Sequence, residues 1–190
     1  NYCGPLAYAP LPDTLLLNVG GRFEDITGRA GLAGEAGGAL GAAVFDADGD
    51  GRLDLFVAND GLPNVLWHAL GDGRFENRAL TKGRALNGGG HAEAAMGGAV
   101  DDYDGDGDED LALGHLDGET NTLYRNDGRG AFADRSAESG LGAPSFNRTA
   151  FGAGWLDVDG DGWLDFAVVN GAVKIAKEAA LRGDPHPLRQ

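Results

Sequence analysis

Three nine-residue stretches constrain this chain more than anything else in it: DADGDGRLD at 46–54, DYDGDGDED at 102–110 and DVDGDGWLD at 157–165. Each carries aspartate at its first, third, fifth and ninth places, with glycine at the fourth and sixth. They begin at Asp46, Asp102 and Asp157, 56 and 55 residues apart. Four carboxylates in so short a loop repel one another unless a positive charge sits among them. The device is therefore periodic, and a period of this length points to a repeat architecture.

Other features share the period. A small-residue apolar run precedes each loop: GGALGAAVF, AAMGGAVD and TAFGAGWL. A strand-like run follows each: LDLFVAN, EDLALGH and LDFAVVN. A further pair of short runs then appears. NVLWHALGDGRFENRA (64–79) aligns with NTLYRNDGRGAFADRS (121–136), and TLLLNVGGRFEDIT (14–27) fits the same template, with Phe23, Phe75 and Phe132 as aromatic anchors. Alternating apolar residues suit strands, and GDGRF and DGRGAF suit hairpin turns. Each unit thus holds four short strands, which predicts an all-β chain built of four-stranded antiparallel propeller blades. A stack of hairpins in a sandwich or solenoid is the competing arrangement. The chain opens with the last two strands of one unit and runs through two complete units. It closes with the first two strands of a fourth. The expectation is a partial propeller across residues 1–190, an open arc of two full and two half blades. The segment VKIAKEAALRGDPHPLRQ departs from the pattern, and residues 173–182 read as a short surface helix that stops near Gly183 and Pro185.

Calcium takes six to eight hard oxygen ligands, and alternate aspartates in a tight loop can supply them. The first loop offers Asp46, Asp48, Asp50 and Asp54, with the carbonyl of Arg52. The second offers Asp102, Asp104, Asp106 and Asp110, with the carbonyl of Asp108. The third offers Asp157, Asp159, Asp161 and Asp165, with the carbonyl of Trp163. Three calcium ions are expected. An EF-hand needs a bidentate glutamate at the twelfth position, where this chain has Val57, Leu113 and Val168. Magnesium favours fewer protein ligands, and the loops lack the Cys and His ligands typical of zinc.

The bulk numbers agree. Hydrophobic residues make up 42%, enough for a folded core, and 34 of 190 residues are glycine, which suits turns and strands. The formal charge is −15, and twelve of the 30 acidic residues are the matched aspartates, so metal binding would neutralise part of it. The absence of a basic cluster argues against a nucleic-acid partner, and no apolar run reaches the length of a membrane span. The single cysteine, Cys3, has no partner within the chain.

No catalytic constellation stands out, so no catalytic residue is assigned. His115 takes the place held by Asn59 and Asn170 in the other units, which suggests a hydrogen-bonded turn. His91 and Glu93 in GGGHAEAAM form only a weak local pair. Ser136, Ser139 and Ser145 lack a nucleophile-elbow setting, and Gly88 to Gly90 lack the lysine of a phosphate loop.

The pattern D-x-D-G-D-G-x-x-D followed by an apolar strand resembles the FG-GAP or VCBS repeat, the blade of integrin alpha-chain propellers and of many bacterial secreted proteins. The stretch LYRNDGRGAFADRSAESGL (123–141) is similar to the blades found beside ASPIC/UnbV domains in the cartilage acidic protein-like family. The opening YCGPLAYAPLPDTLLLN and the closing RGDPHPLRQ are also similar to segments of bacterial members. No ASPIC/UnbV domain is recognisable within the 190 residues. The resemblance implies calcium in the loops, an extracellular or periplasmic location, and a role in binding, adhesion or scaffolding toward a protein or glycan. The alternative it leaves open is part of a secreted carbohydrate-active lyase or hydrolase with a site on a propeller face.

Overall fold

The computed structural model describes residues 9–83 and 85–171. Twelve strands lie in this span, all paired antiparallel. Strands β1 (Leu16–Val19) and β2 (Arg22–Asp25) form a two-stranded sheet. Strands β3 (Ala39–Phe45), β4 (Asp54–Asn59), β5 (Val65–Ala69) and β6 (Phe75–Asn77) form a four-stranded sheet in sequence order. Strands β7 (Ala95–Asp101), β8 (Asp110–His115), β9 (Thr122–Asn126) and β10 (Phe132–Asp134) repeat that meander. Strands β11 (Thr149–Leu156) and β12 (Asp165–Gly171) make a second two-stranded sheet. The expected partition into two full and two half blades is what the chain forms. One short helix, α1 (Thr27–Ala30), follows β2. The helix expected at 173–182, together with Cys3 and His186, lies outside the described residues.

The first strands of successive sheets, β3, β7 and β11, lie side by side, as the inner strands of propeller blades do. Their small residues are what allows this. A Cβ on Gly41 would stand 3.0 Å from Gly97 Cα, and one on Gly114 would stand 2.4 Å from Ala150 Cβ. Side chains there would drive the sheets apart. Each inner strand also shifts register at the same place, between Ala39 and Gly41, Ala95 and Gly97, and Ala150 and Gly152. Such bulges increase local twist and bend the strand. The two-stranded sheets at the ends are not hydrogen-bonded to each other, so the described residues form an open arc.

Alternation along β4 and β5 divides the core into two clusters. Phe56, Ala58 and Leu66 face the second blade and meet Phe45, Leu111, Leu113, Tyr124 and Phe132. Val57, Val65 and Trp67 face the other way and meet Ala30 and Leu32 beside α1. The aromatic anchors follow blade completeness. Phe132 is buried and packs edge-on to Phe45 at 6.3 Å, whereas Phe23, on a sheet of two strands among the described residues, is 67% exposed.

Candidate metal centre

Every aspartate loop is the hairpin connection between the first and second strands of its sheet. The ninth-position aspartate opens the second strand, opposite Phe45, Asp101 or Leu156. Glycines at the fourth and sixth places take positive φ, 71° and 83° at Gly49 and Gly51 in the first loop. That path turns backbone N–H groups inward, where the first aspartate collects them. Asp46 accepts from Asp50 (3.1 Å) and Gly51 (2.7 Å). Asp102 accepts from Gly105, Asp106 and Gly107, and Asp157 from Gly160, Asp161 and Gly162. Aspartates at the fifth place cap the next turn: Asp50, Asp106 and Asp161 accept from the N–H groups of Arg52, Asp108 and Trp163.

Carboxylate oxygens then converge. Ligand atoms of Asp46, Asp48 and Asp50 lie within 4.8 Å of one another, as do those of Asp102, Asp104 and Asp110, and of Asp157, Asp159 and Asp165. Asp54 joins Asp48 in a further group of the same tightness, completed by His68. Asp106 and Asp161 stand outside these groups of three, their carboxylates committed to the turn.

The convergence leaves atoms unserved. Asp48 Oδ1, Asp54 Oδ2 and Asp104 Oδ1 are buried with no hydrogen-bond partner. A buried acceptor without a partner costs about 1–3 kcal/mol, more when charged. A hard divalent cation would supply what is missing, and the all-oxygen donor set of these aspartates fits calcium. Burial, with Asp104 and Asp106 facing it, pushes the Asp110 carboxyl up to about 6, against the N–H bonds it receives from Asn126 and Tyr103. A cation in the loop would reverse that shift.

Nitrogen-bearing side chains of the third strands approach the first two loops. Arg125 on β9 bonds Asp104 and, at 2.5 Å, Asp106. At the matching position of β5 stands His68, its Nδ1 3.2 Å from Asp54 Oδ1 and 3.5 Å from Asp48 Oδ2. Neither residue is marked by the aspartate spacing. The only sequence signal was the alignment of 64–79 with 121–136, which pairs them.

Neighbouring blades clamp the loops. Asn126 Nδ2 donates to Ala47 O in the first loop and to Glu109 O in the second, both at 3.1 Å, and Asp46 N donates to Glu109 Oε2 at 3.1 Å. In the second loop Tyr103 stacks on Trp155 of β11, ring centres 6.1 Å apart. The loop's second position thus reaches the next blade: Ala47 is buried there, whereas Val158 in the third loop is 72% exposed.

Among the other candidates, His91 is exposed, and Glu93 turns instead to Thr122 Oγ1 (3.0 Å) and His115 Nε2 (3.5 Å). At His115 the turn bond is made by the backbone N–H to Asn121 Oδ1, as Asn59 N–H bonds Asn64 Oδ1, whereas both ring nitrogens of His115 are buried without a hydrogen-bond partner, so the side chain does not play the expected part. Its ring is buried, which pushes its pKa down. Ser136 and Ser145 accept backbone N–H bonds from Leu123 and Asn121, and the Gly88 N–H meets the Asp134 carboxylate, structural roles all.

Residues 46–101 and 102–168, more than half of the chain, each match the FG-GAP-like repeat family. No curated protein is significantly similar to the chain. Each matched repeat begins at an aspartate loop, so it starts one strand after the blade it overlaps, and the second runs on through the third loop into β12. With its repeats, its loop geometry and its blade order in agreement, this chain belongs to the FG-GAP-like repeat family.

Proposed function

We propose that the chain is a calcium-binding β-propeller module that works outside the cytoplasm as a binding, adhesion or scaffold domain. The observation that carries this reading is the set of buried, unpartnered carboxylate oxygens inside loops whose backbone is already folded around them. The three calcium ions take Asp46, Asp48 and Asp50 with Asp54 in the first loop, Asp102, Asp104 and Asp110 in the second, and Asp157, Asp159 and Asp165 in the third. The role is structural: the ion ties an aspartate loop to the strand it precedes and, through Asn126 and Tyr103, to the next blade. The integrin alpha-chain and ASPIC/UnbV-associated propellers resembled in sequence support an extracellular or periplasmic setting with a protein or glycan partner.

Isothermal titration of calcium into the chelator-treated chain tests the reading. Three binding events, each tied to one loop by Asp48→Ala, Asp104→Ala and Asp159→Ala, are expected. A chain that takes up no calcium at millimolar concentration would sink it.

A second reading, an enzyme acting on carbohydrate, draws on one feature. A cavity of about 600 Å³ in the second blade is lined by Glu93 and Asp134 together with Thr120, Thr122 and Ser136. Its acceptor-rich wall suits a hydroxyl-rich ligand. Glycan-array binding without turnover supports the module. Release of reducing ends, abolished by Glu93→Gln, supports the enzyme.

A further inference from the structure

We propose that the first aspartate loop, unlike the second, offers Asp48, Asp54 and His68 to a divalent transition-metal ion of the zinc type, in competition with the calcium read there. The inference goes beyond the calcium reading and shares with it only Asp48 and Asp54.

The geometry is that of a ligand set. One atom from each of the three side chains lies within 4.8 Å of the others. His68 Nδ1 stands 3.2 Å from Asp54 Oδ1 and 3.5 Å from Asp48 Oδ2. Ligands of a tetrahedral zinc, at bonds of about 2.0–2.1 Å, stand about 3.3 Å apart. The site is also dry: His68 is 5% exposed and Asp54 1%. Two further oxygens, Asp48 Oδ1 and Asp54 Oδ2, are buried there without a hydrogen-bond partner. The Ala69 N–H bonds the same Asp54 Oδ1 at 2.8 Å and so holds the carboxylate in place, as outer partners hold metal ligands.

The chemistry separates this loop from its copies. Imidazole nitrogen suits zinc, copper, iron and nickel, whereas calcium selects oxygen. At the position of His68 the second blade carries Arg125, a cation that bonds Asp104 and Asp106 and cannot ligate a metal. The same strand position therefore reaches the loop in both blades, and only the first offers a nitrogen lone pair.

The test uses the full chain carrying Cys3→Ser, His91→Gln and His186→Gln, so that the other sulfur and nitrogen donors outside the blade cores are removed. Zinc is titrated calorimetrically in millimolar calcium. One zinc per chain is expected, weakened about tenfold or more by His68→Gln and unchanged by Asp104→Ala. Pulsed electron paramagnetic resonance of the same chain loaded with one copper(II) should show coupling to a single histidine nitrogen, a readout that needs no variant at the site. Absence of zinc binding, equal affinity in His68→Gln, or no nitrogen coupling would each overturn the proposal. Calcium uptake measured on the same samples separates the two readings: if it persists while zinc fails, only the transition-metal site falls.

Discussion

Aspartates that look alike in sequence divide their labour. Asp102 spends its oxygens on three backbone N–H groups and so folds its loop, while Asp48, Asp54 and Asp104 each keep a buried oxygen without a hydrogen-bond partner. Asp104→Ala should therefore abolish calcium binding at the second loop and leave the other two, whereas His91→Gln should change nothing; loop-resolved calorimetry checks both. Asp110 supplies a pH signature of the metal-free chain. Its carboxyl sits at about 6, above its ordinary 3.8, so between these values the folded state keeps a proton that the unfolded chain has released. Its contribution to stability is whole below about 4 and is lost as pH rises through about 6. Asp60 and Glu119, both raised by burial, act in the same sense. In chelator the melting temperature should fall across that window, and Asp110→Asn should flatten the fall. An unchanged slope in Asp110→Asn would count against the loop as its source.

At the scale of strands, close approach decides which residues are admissible. Gly114 on β8 lies against Ala150 on β11, and valine there would place its Cβ only 2.4 Å from Ala150 Cβ. Gly114→Val should cost about 1–3 kcal/mol by overpacking, read as a lower urea midpoint, whereas valine on an exposed loop should cost far less. Asn126 is the other inter-blade device. Its amide serves carbonyls in two aspartate loops, and Asn126→Ala leaves the buried Ala47 carbonyl and the partly buried Glu109 carbonyl short of a donor. A loss of about 1–3 kcal/mol is expected, together with weaker calcium binding at both loops. Wild-type affinity at the first loop in Asn126→Ala would show that blade contact does not shape the site.

Across the whole molecule, calcium binding at the loops would be linked to stability. An ion that binds only the folded loop stabilises by about 1.4 kcal/mol at tenfold excess over its dissociation constant, and three independent sites give about 4 kcal/mol. That is a large share of the stability of a domain of this size, so chelation should lower the melting temperature by many degrees. A melting temperature indifferent to calcium and chelator would contradict the structural role. Much of this was legible in the chain. The period and the alternation predicted twelve strands in four sheets, because a strand's burial repeats every second residue and a hairpin's turn is local. The spacing of aspartates and glycines predicted loops that fold around a cation, because those contacts span at most nine residues. Tertiary structure alone decided the rest. Which carboxylates converge and which cap a turn, that Arg125 guards one loop while His68 completes another, and that Glu93 meets His115 rather than His91 all depend on strand register and blade contact. They join side chains far apart in sequence, and spacing along the chain carries no record of which neighbour a folded strand will face.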